Sequence, residues 1–288
     1  MPRIRVVTDS ACDIPDTLLK QFDITVVPFS VRWGEDVQVD RGGALTQHQL
    51  ERIIDRAQPR PEVFSPSVDE FNRVYRSMRD TCDGVISIQT SSKLSDTFAN
   101  AATAREAYGL VGHGGPFPIS VVDSWSLSMG LGWLVLMVAR AAQAGVELAK
   151  LTSMVTRLRG QTHVAFITDN SEMLPGITRV SGPRSQFNGI SSLKPLFHID
   201  EGHIAVYERT RTRVKARDSL YNFVEDFPRI GEMAVFHVDA ANDLDHLLTR
   251  IGAIYPRERI VVFQPGLATS CWFGPNALGV AVFEGEDM

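Results

Sequence analysis

The sequence predicts an α/β fold with two domains, an N-terminal domain built on a parallel sheet and a C-terminal domain of mixed α+β type. Up to about residue 160, short apolar strands alternate with helical segments, which is typical of parallel βαβ units. After Gln161, strands outnumber helices. The 288 residues are enough for two domains of medium size. We therefore expect domains at 1–160, with a small excursion around 28–62, and at 161–288, with a ligand cleft between them.

The first half contains the elements of the predicted parallel sheet. Apolar runs that end in polar residues or turns predict strands at 4–7, 24–31, 84–88 and 119–122. Helices are expected at about 46–57, from 67 onwards, and at 95–108, 128–143 and 146–158. Thr46 with Gln49, and Ser67 with Glu70, have the spacing of a capping box, which places the start of two of these helices.

The second half predicts strands at 163–168, 204–208, 233–238, 260–263 and 279–283, and helices at 216–224 and 241–251. His198 and His203 flank the turn at 200–202 and are expected to be exposed residues of a hairpin. Residues 209–215 read RTRTRVK, with a cation at every second position, which predicts a strand with one basic face. Such a strand is either a solvated sheet edge or a patch for an acidic partner or a phosphate.

Three predicted strands of the first half end in hydroxyl or acidic residues. These tips are Thr8-Asp9-Ser10, Thr90-Ser91-Ser92 and Asp123-Ser124. Ligands of open parallel sheets bind outside the carboxyl ends of the strands, so the three tips together predict a binding site. The alternative is that these side chains only cap the helices that follow.

Composition argues against several classes of function. The net charge of −5 does not suit wholesale nucleic-acid binding. Three widely spaced cysteines without a CxxC motif, and no paired histidines, predict neither a disulfide framework nor a metal site, and they indicate a reducing cytoplasm. The apolar run at 129–142 is too short for a membrane span. The N-terminal strand reaches Thr8 too soon for a signal peptide.

Residues 126–130 (SLSMG) come close to the nucleophile elbow of α/β hydrolases, although Ser126 stands where the first glycine belongs. The segment lies between a predicted strand and a predicted helix, as an elbow does. A serine hydrolase acting on an acyl ester is therefore the alternative function, with Ser128 or Ser95 as its nucleophile. It would also need an acid and a histidine.

Several stretches, in this order and spacing over nearly the whole chain, resemble one known family. They are VTDS at 7–10, DIP at 13–15, VVP at 26–28, SSKLSDTF at 91–98, VDS at 122–124, SMGLG at 128–132, LKPL at 193–196, RTR at 209–211 and GPNALG at 274–279. The sequence is similar to the DegV-like fatty-acid-binding proteins, the lipid-presenting component of bacterial fatty acid kinase.

The resemblance implies a protein that is not an enzyme and that holds a long-chain fatty acid, but no cofactor, in an apolar tunnel between its domains. It also implies a fatty acid kinase subunit as partner. Burial of each methylene contributes roughly 0.8 kcal/mol, so a long acyl chain offsets the entropic cost of association. The carboxylate would be received by hydroxyls and backbone N–H groups at the tunnel mouth.

The resemblance also implies particular site residues. Ser95 matches the serine of the family's Leu-Ser-Gly-Thr element, which reads LSDT here, and is the first choice for headgroup binding. Its alternative role is to cap the helix that follows. The further headgroup residues implied are Ser92, Thr97, Ser65, Asp40 and Arg179.

Two positions depart from the family pattern at the predicted pocket lip. Val63 and Phe64 stand where the family has Thr-Ser, and Trp272 stands where it has a histidine. Polar contacts are replaced by apolar and aromatic bulk, so we expect the head of the ligand to be bound differently. The other residues predicted to form the lip or lining are Asp9, Ser10 and Ser124.

Overall fold

The computed structural model describes residues 3–55, 59–110, 117–169, 171–174 and 193–285. The strands are β1 (Ile4–Asp9), β2 (Thr25–Val27), β3 (Ser30–Trp33), β4 (Asp36–Val39), β5 (Glu62–Phe64), β6 (Gly84–Gln89), β7 (Ile119–Asp123), β8 (Thr162–Ile167), β9 (Leu196–Asp200), β10 (His203–Glu208), β11 (Glu232–Val238), β12 (Ile260–Phe263) and β13 (Ala277–Phe283). The helices are α1 (Asp16–Gln21), α2 (Gln47–Ile54), α3 (Val68–Met78), α4 (Thr97–Leu110), α5 (Ser128–Gln143), α6 (Leu148–Leu158), α7 (Arg213–Glu225), α8 (Ala241–Ile251) and α9 (Leu267–Phe273).

The first sheet is parallel, with the strand order β2–β1–β6–β7, as the alternation of strands and helices predicts. Its two faces are covered by different helices, because successive side chains of a strand point to opposite sides. Val7 of β1 packs with Phe71 and Tyr75 of α3. Its neighbour Val6 belongs to the core that includes α5. All four carboxyl strand ends therefore open on one edge of a covered sheet.

The second sheet is mixed, with the order β10–β9–β8–β13–β11–β12. The pair β11–β12 is parallel and the other pairs are antiparallel. Leu220 of α7 and Leu247 of α8 pack on one face of this sheet. The predicted fold class, a parallel-sheet region followed by a separate mixed sheet, is confirmed.

Helix α5 lies between the two sheets and joins their cores. Its residues are buried almost throughout, and they pack with residues of β1, β8 and β13. The Trp133 indole N–H donates to the Ala281 carbonyl of β13 at 3.3 Å. A Cβ at Gly130 would collide with Val164 of β8, and one at Gly132 would lie 2.8 Å from the Cys12 carbonyl. The two glycines thus allow α5 to pack closely against both sheets. Because this core is shared, the domain boundary expected at residue 160 stays a prediction.

A small antiparallel sheet, β4–β3–β5, forms the excursion expected around 28–62. The prediction of one strand over 24–31 is wrong. The strand of the parallel sheet ends at Val27, and β3 begins at Ser30 in the small sheet. Pro28 lies between them. It has no N–H to donate to a sheet ladder, so the chain can leave the parallel sheet here.

Both capping boxes are present at the predicted helix starts, Thr46 with Gln49 and Ser67 with Glu70.

The basic run at 209–215 is not a strand, because Thr212 caps α7 by accepting from the Lys215 N–H at 3.3 Å. The alternating cations at 209–215 therefore do not form one basic face of a strand. Within the described ranges, no helix is both long and apolar enough to cross a bilayer.

Candidate functional site

The polar strand tips lie together and bind one another. The Asp9 carboxylate accepts hydrogen bonds from the Thr90 N–H at 2.7 Å, the Thr90 hydroxyl at 2.8 Å and the Ala11 N–H at 3.1 Å. Burial of this carboxyl raises its pKa to about 7, although the hydrogen bonds favour the charged form. Asp9 therefore ties the end of β1 to the end of β6.

The tips of β6 and β7 are joined in the same way. The Ser92 N–H lies 3.3 Å from both carboxylate oxygens of Asp123. The Ser124 N–H donates to the Gln89 carbonyl at 3.1 Å, and its hydroxyl accepts from the Ser126 N–H at 3.0 Å. Ser124 is fully buried, and its hydroxyl forms the turn that leads into α5.

Ser95 and Thr97 form a buried pair of hydroxyls at the start of α4. The Ser95 hydroxyl donates to Thr97 Oγ1 at 3.1 Å, and the Ser95 N–H donates to the Ser91 carbonyl at 3.1 Å. The helix begins at Thr97, so Ser95 precedes the capping position. Its side chain faces Thr97 rather than the first-turn amides. The neighbouring Leu94 is part of the core around α5.

The predicted pocket lip, residues 63–66, is hydrogen-bonded to the start of α4. Ser65 Oγ accepts from the Asp96 N–H at 3.2 Å, and the Asn100 side-chain amide donates to the Pro66 carbonyl at 2.8 Å. Val63 and Phe64 belong to β5 and point to opposite faces of the small sheet. Val63 packs inward, whereas Phe64 is 40% exposed beneath the Arg32 guanidinium.

Trp272 lies under the small sheet. It is 7% exposed, and its ring meets the edge of Phe29 with centroids 5.4 Å apart. The same apolar cluster contains Val63 and Trp33. The next residue, Phe273, belongs to the core around α5. Two residues of one segment thus make both contacts: Val63 packs with the cluster of Trp272, and Ser65 binds the Asp96 N–H between Ser95 and Thr97.

Asp40 and Ser10 anchor the start of α9. The Asp40 carboxylate accepts from the Ser10 hydroxyl at 3.0 Å, the Gly42 N–H at 3.1 Å, and the Leu267 and Ala268 N–H groups at 3.2 Å each. Burial raises the pKa of Asp40. Ser10 Oγ also accepts from the Phe29 N–H at 3.0 Å. Both Asp40 oxygens are bound by groups of the protein itself.

Asp13, which was not predicted as a site residue, has a similar role. Its carboxylate accepts from the Gly266 N–H at 2.8 Å, the Thr269 hydroxyl at 2.9 Å and the Ser128 hydroxyl at 2.6 Å. Burial raises the pKa of Asp13 to about 7. A charged residue between the apolar Cys12 and Ile14 was the available signal.

Ser128, a candidate nucleophile of the alternative function, is fully buried, and its hydroxyl donates to Asp13. A carboxylate alone, without an intervening histidine, is not the base arrangement of a serine hydrolase. The φ of Ser128, +53°, lies in the left-handed region, and a strained turn before a helix is also a feature of an elbow. The burial of the hydroxyl and its bond to a carboxylate nevertheless do not support the hydrolase alternative.

A cavity of about 500 Å³ opens beside Asp13, between the edge strands β2 and β12. This volume lies within the range of roughly 300–1,000 Å³ that is usual for ligand pockets. Its apolar walls include Leu19, Val26 and Phe263, and its polar residues include Ser10 and Arg41.

Arg179 lies outside the described residues. Among the described residues, no group of three or more His, Cys, Asp and Glu side chains could hold a metal ion.

The family model described as "Uncharacterised protein, DegV family" matches residues 3–285. The chain belongs to the DegV family. The family expected from the sequence is therefore confirmed. This DegV chain is 28% identical over 286 residues to a DegV domain-containing protein of Streptomyces coelicolor, with 97% of this chain and 98% of the relative covered. It is 29% identical over 294 residues to a DegV domain-containing protein of Mycobacterium bovis, with 96% of each covered.

Solved DegV structures have the same fold. One is a DegV family protein of Thermus thermophilus whose structure is described as "Fatty Acid Binding", with 25% identity and a TM-score of 0.84 over 98% of this chain and 100% of that one. Another is Bacillus subtilis DegV, described as a fatty acid binding protein, with 24% identity and a TM-score of 0.82 over 98% of this chain and 100% of that one.

Proposed function

We propose that this DegV chain binds a long-chain fatty acid or a related lipid and carries it without changing it chemically. The observation that supports the proposal is that residues 63–65 contact both the start of α4, where Ser95 and Thr97 form a buried hydroxyl pair, and the apolar cluster of Trp272. Leu94 and Phe273, beside these residues in sequence, already lie in the core shared by both sheets. The Thermus thermophilus relative described as fatty acid binding supports the same function.

The head of the lipid is best received by Ser95 and Thr97. Their hydroxyls are buried and bind each other, so each can turn to a ligand oxygen without leaving a charged group unpaired. A carboxylate with such donors gains hydrogen bonds of roughly 1.5–3 kcal/mol each, which offset its desolvation. Two further serines are candidates for headgroup contacts: Ser65 accepts from the Asp96 N–H, and the Ser92 N–H donates to Asp123. Asp40 would act indirectly, by holding α9 in place.

Presentation of the bound lipid to a fatty acid kinase subunit is the finer part of this proposal. A carrier that holds the head at the mouth of a pocket leaves it accessible to a second protein. We also propose that the chain is cytoplasmic and that its domains divide at residues 160 and 161. The test of presentation is the formation of acyl phosphate when the lipid-loaded chain is mixed with such a kinase and ATP.

Native mass spectrometry of the purified chain tests lipid binding directly. We expect a bound fatty acid, and after delipidation we expect uptake of added oleate or palmitate. Ser95→Ala with Thr97→Val should weaken uptake roughly tenfold or more, which corresponds to the loss of one hydrogen bond to a charged group. Ser153→Ala on the exposed side of α6 is the matched control. Absence of lipid from the native chain, together with no uptake, would contradict the proposal.

A further inference from the structure

The edge strand β4 exposes two valines on the outer face of the small sheet. Val37 is 57% exposed and Val39 is 47% exposed. Strand β4 pairs with β3 on one side, and no strand of the described chain pairs with its other side. Proteins normally protect such an edge with charges, proline or a covering element, because it can pair with another chain.

The backbone of β4 is oriented to accept another strand. The Asp40 N–H donates to the Phe29 carbonyl at 2.8 Å, which continues the ladder between β3 and β4. Because alternate residues of an antiparallel strand bond to alternate sides, the N–H and C=O groups of Val37 and Val39 point away from β3. Among the described residues, the backbone groups of Val37 and Val39 on this side have no strand partner.

The charges that flank β4 make it complementary to itself. Glu35 precedes the two valines and Arg41 follows them, each three residues from Gln38. Both side chains are exposed, and neither forms an ion pair with any described residue. When a second copy runs in the opposite direction, its basic residue comes to the acidic end of β4 and its acidic residue comes to the basic end, while valine meets valine. A partner with the same sequence would therefore match both the apolar and the charged positions.

We propose that a second copy of this chain pairs with β4 in antiparallel orientation, about a two-fold axis at Gln38. In this register, Val37 lies opposite Val39 of the other copy and Val39 lies opposite Val37, and each is a hydrogen-bonded pair. Glu35, in the turn before β4, comes near Arg41, which lies beyond the end of β4 in the other copy. Each pair occurs twice, as in any isologous interface. A shift of two residues in the register separates the charges from their partners. A shift of one residue places the valines opposite residues whose N–H and C=O groups point away from the interface. The two small sheets become one sheet of six strands.

This interface is short, since each copy contributes a strand of four residues. Stable complexes usually bury at least about 1,200 Å². We therefore expect a weak dimer whose amount depends on protein concentration. The proposal does not depend on lipid binding, because the outer face of β4 is opposite the face that covers Trp272.

Sedimentation equilibrium of the full chain from low to high micromolar concentration tests the dimer. Glu35→Arg and Arg41→Glu should each weaken dimerisation roughly tenfold, because two ion pairs become two like-charge contacts. The double variant Glu35→Arg/Arg41→Glu should restore it, because the reversed charges are still complementary. An equimolar mixture of the two single variants should form heterodimers for the same reason.

A second pair of variants separates the apolar contact from general effects on the fold. Val37→Asp should abolish dimerisation, whereas Val214→Asp should not, because Val214 is equally exposed at 57% but lies on α7. A wild-type chain that stays monomeric at every concentration would overturn the proposal. So would a dimer that Val37→Asp leaves unchanged, or one that the double charge variant fails to restore.

Discussion

Three buried carboxyl groups hold the candidate site together at the scale of single residues. Asp9 joins the ends of β1 and β6, while Asp13, shortly after β1, and Asp40, directly after β4, bind the start of α9. Each is surrounded by N–H and O–H donors, and burial raises the pKa of each. A raised pKa means that the folded state holds a proton more tightly than the unfolded state does. These anchors therefore make stability depend on pH.

The free energy of unfolding should fall as the pH rises from about 4 to about 7. The pKa of Asp9 and of Asp13 is raised to about 7 in the folded chain, from 3.8 for a free side chain. The stabilisation is therefore fully present below pH 4 and is lost as the pH passes through the folded pKa. Urea unfolding at several pH values measures this slope.

Asp9→Asn with Asp13→Asn should flatten the pH slope, because an amide does not titrate. Asp245→Asn on the exposed side of α8 is the control that should leave the slope unchanged. If the double variant keeps the wild-type slope, other groups are responsible for the pH dependence.

Val63→Thr should tighten fatty-acid binding, because Val63 packs with the Trp272 cluster and lies two residues before Ser65, so a hydroxyl there can bind a ligand head held as proposed. The expected gain is roughly tenfold, which is the lower range for a hydrogen bond to a charged group. Isothermal titration with oleate measures it. Phe64→Ser is the matched control, since Phe64 points to the outer face and should have little effect. Equal effects of the two variants would place the head outside this region.

At the scale of elements, the sequence predicts best where a local signal determines the structure. The capping boxes at Thr46 and Ser67 begin α2 and α3 as expected, and α5 has the predicted bounds. Several elements were not predicted, among them β4, β5 and α9, which are short and whose positions depend on contacts from distant parts of the chain. Asp40, for example, holds the start of α9 across more than 200 residues. A single sequence contains no local sign of such a contact.

The same difference explains the errors at the candidate site and the basic run. The polar strand tips were recognisable because the carboxyl ends of parallel strands share one edge. The anchor Asp13 was not, because its partners Ser128 and Thr269 are far away in sequence. The alternating cations at 209–215 suggested a strand, but the cap at Thr212 starts a helix. Arg213 and Arg217 then both bind Asp243 of α8, at 2.7 and 2.9 Å.

Gly130→Ala should destabilise the chain by about 1–3 kcal/mol, because an added Cβ collides with Ser126 and Val164 where α5 meets the second sheet. Gly160→Ala is the control, since nothing lies within 4 Å of its added Cβ. That control should be neutral or slightly stabilising. Urea denaturation measures both variants. Equal stability of the two would show that α5 can move away from β8 at no cost.

At the scale of the whole molecule, α5 makes the two sheets parts of one folding unit. Its residues belong to a core that also contains Ile86 of the parallel sheet and Phe236 of the mixed sheet. A rigid helix packed on both sides resists hinge motion between the sheets.

Unfolding in urea should follow a single transition, despite the two sheets. Because the core around α5 is shared, loss of one sheet exposes apolar surface of the other. The fluorescence of the four tryptophans and the far-UV circular dichroism should give the same midpoint. Two separate transitions would show that the sheets are stable independently.

The position of Trp272 in the chain has a consequence for synthesis on the ribosome. The apolar cluster of Trp272 is covered by β5, which is translated early, whereas α9, which carries Trp272, is among the last elements to emerge. Until α9 leaves the exit tunnel, Asp13 and Asp40 lack the N–H groups that they bind at the start of α9. For a lipid that binds in this region, as proposed, we expect loading to follow release of the chain from the ribosome.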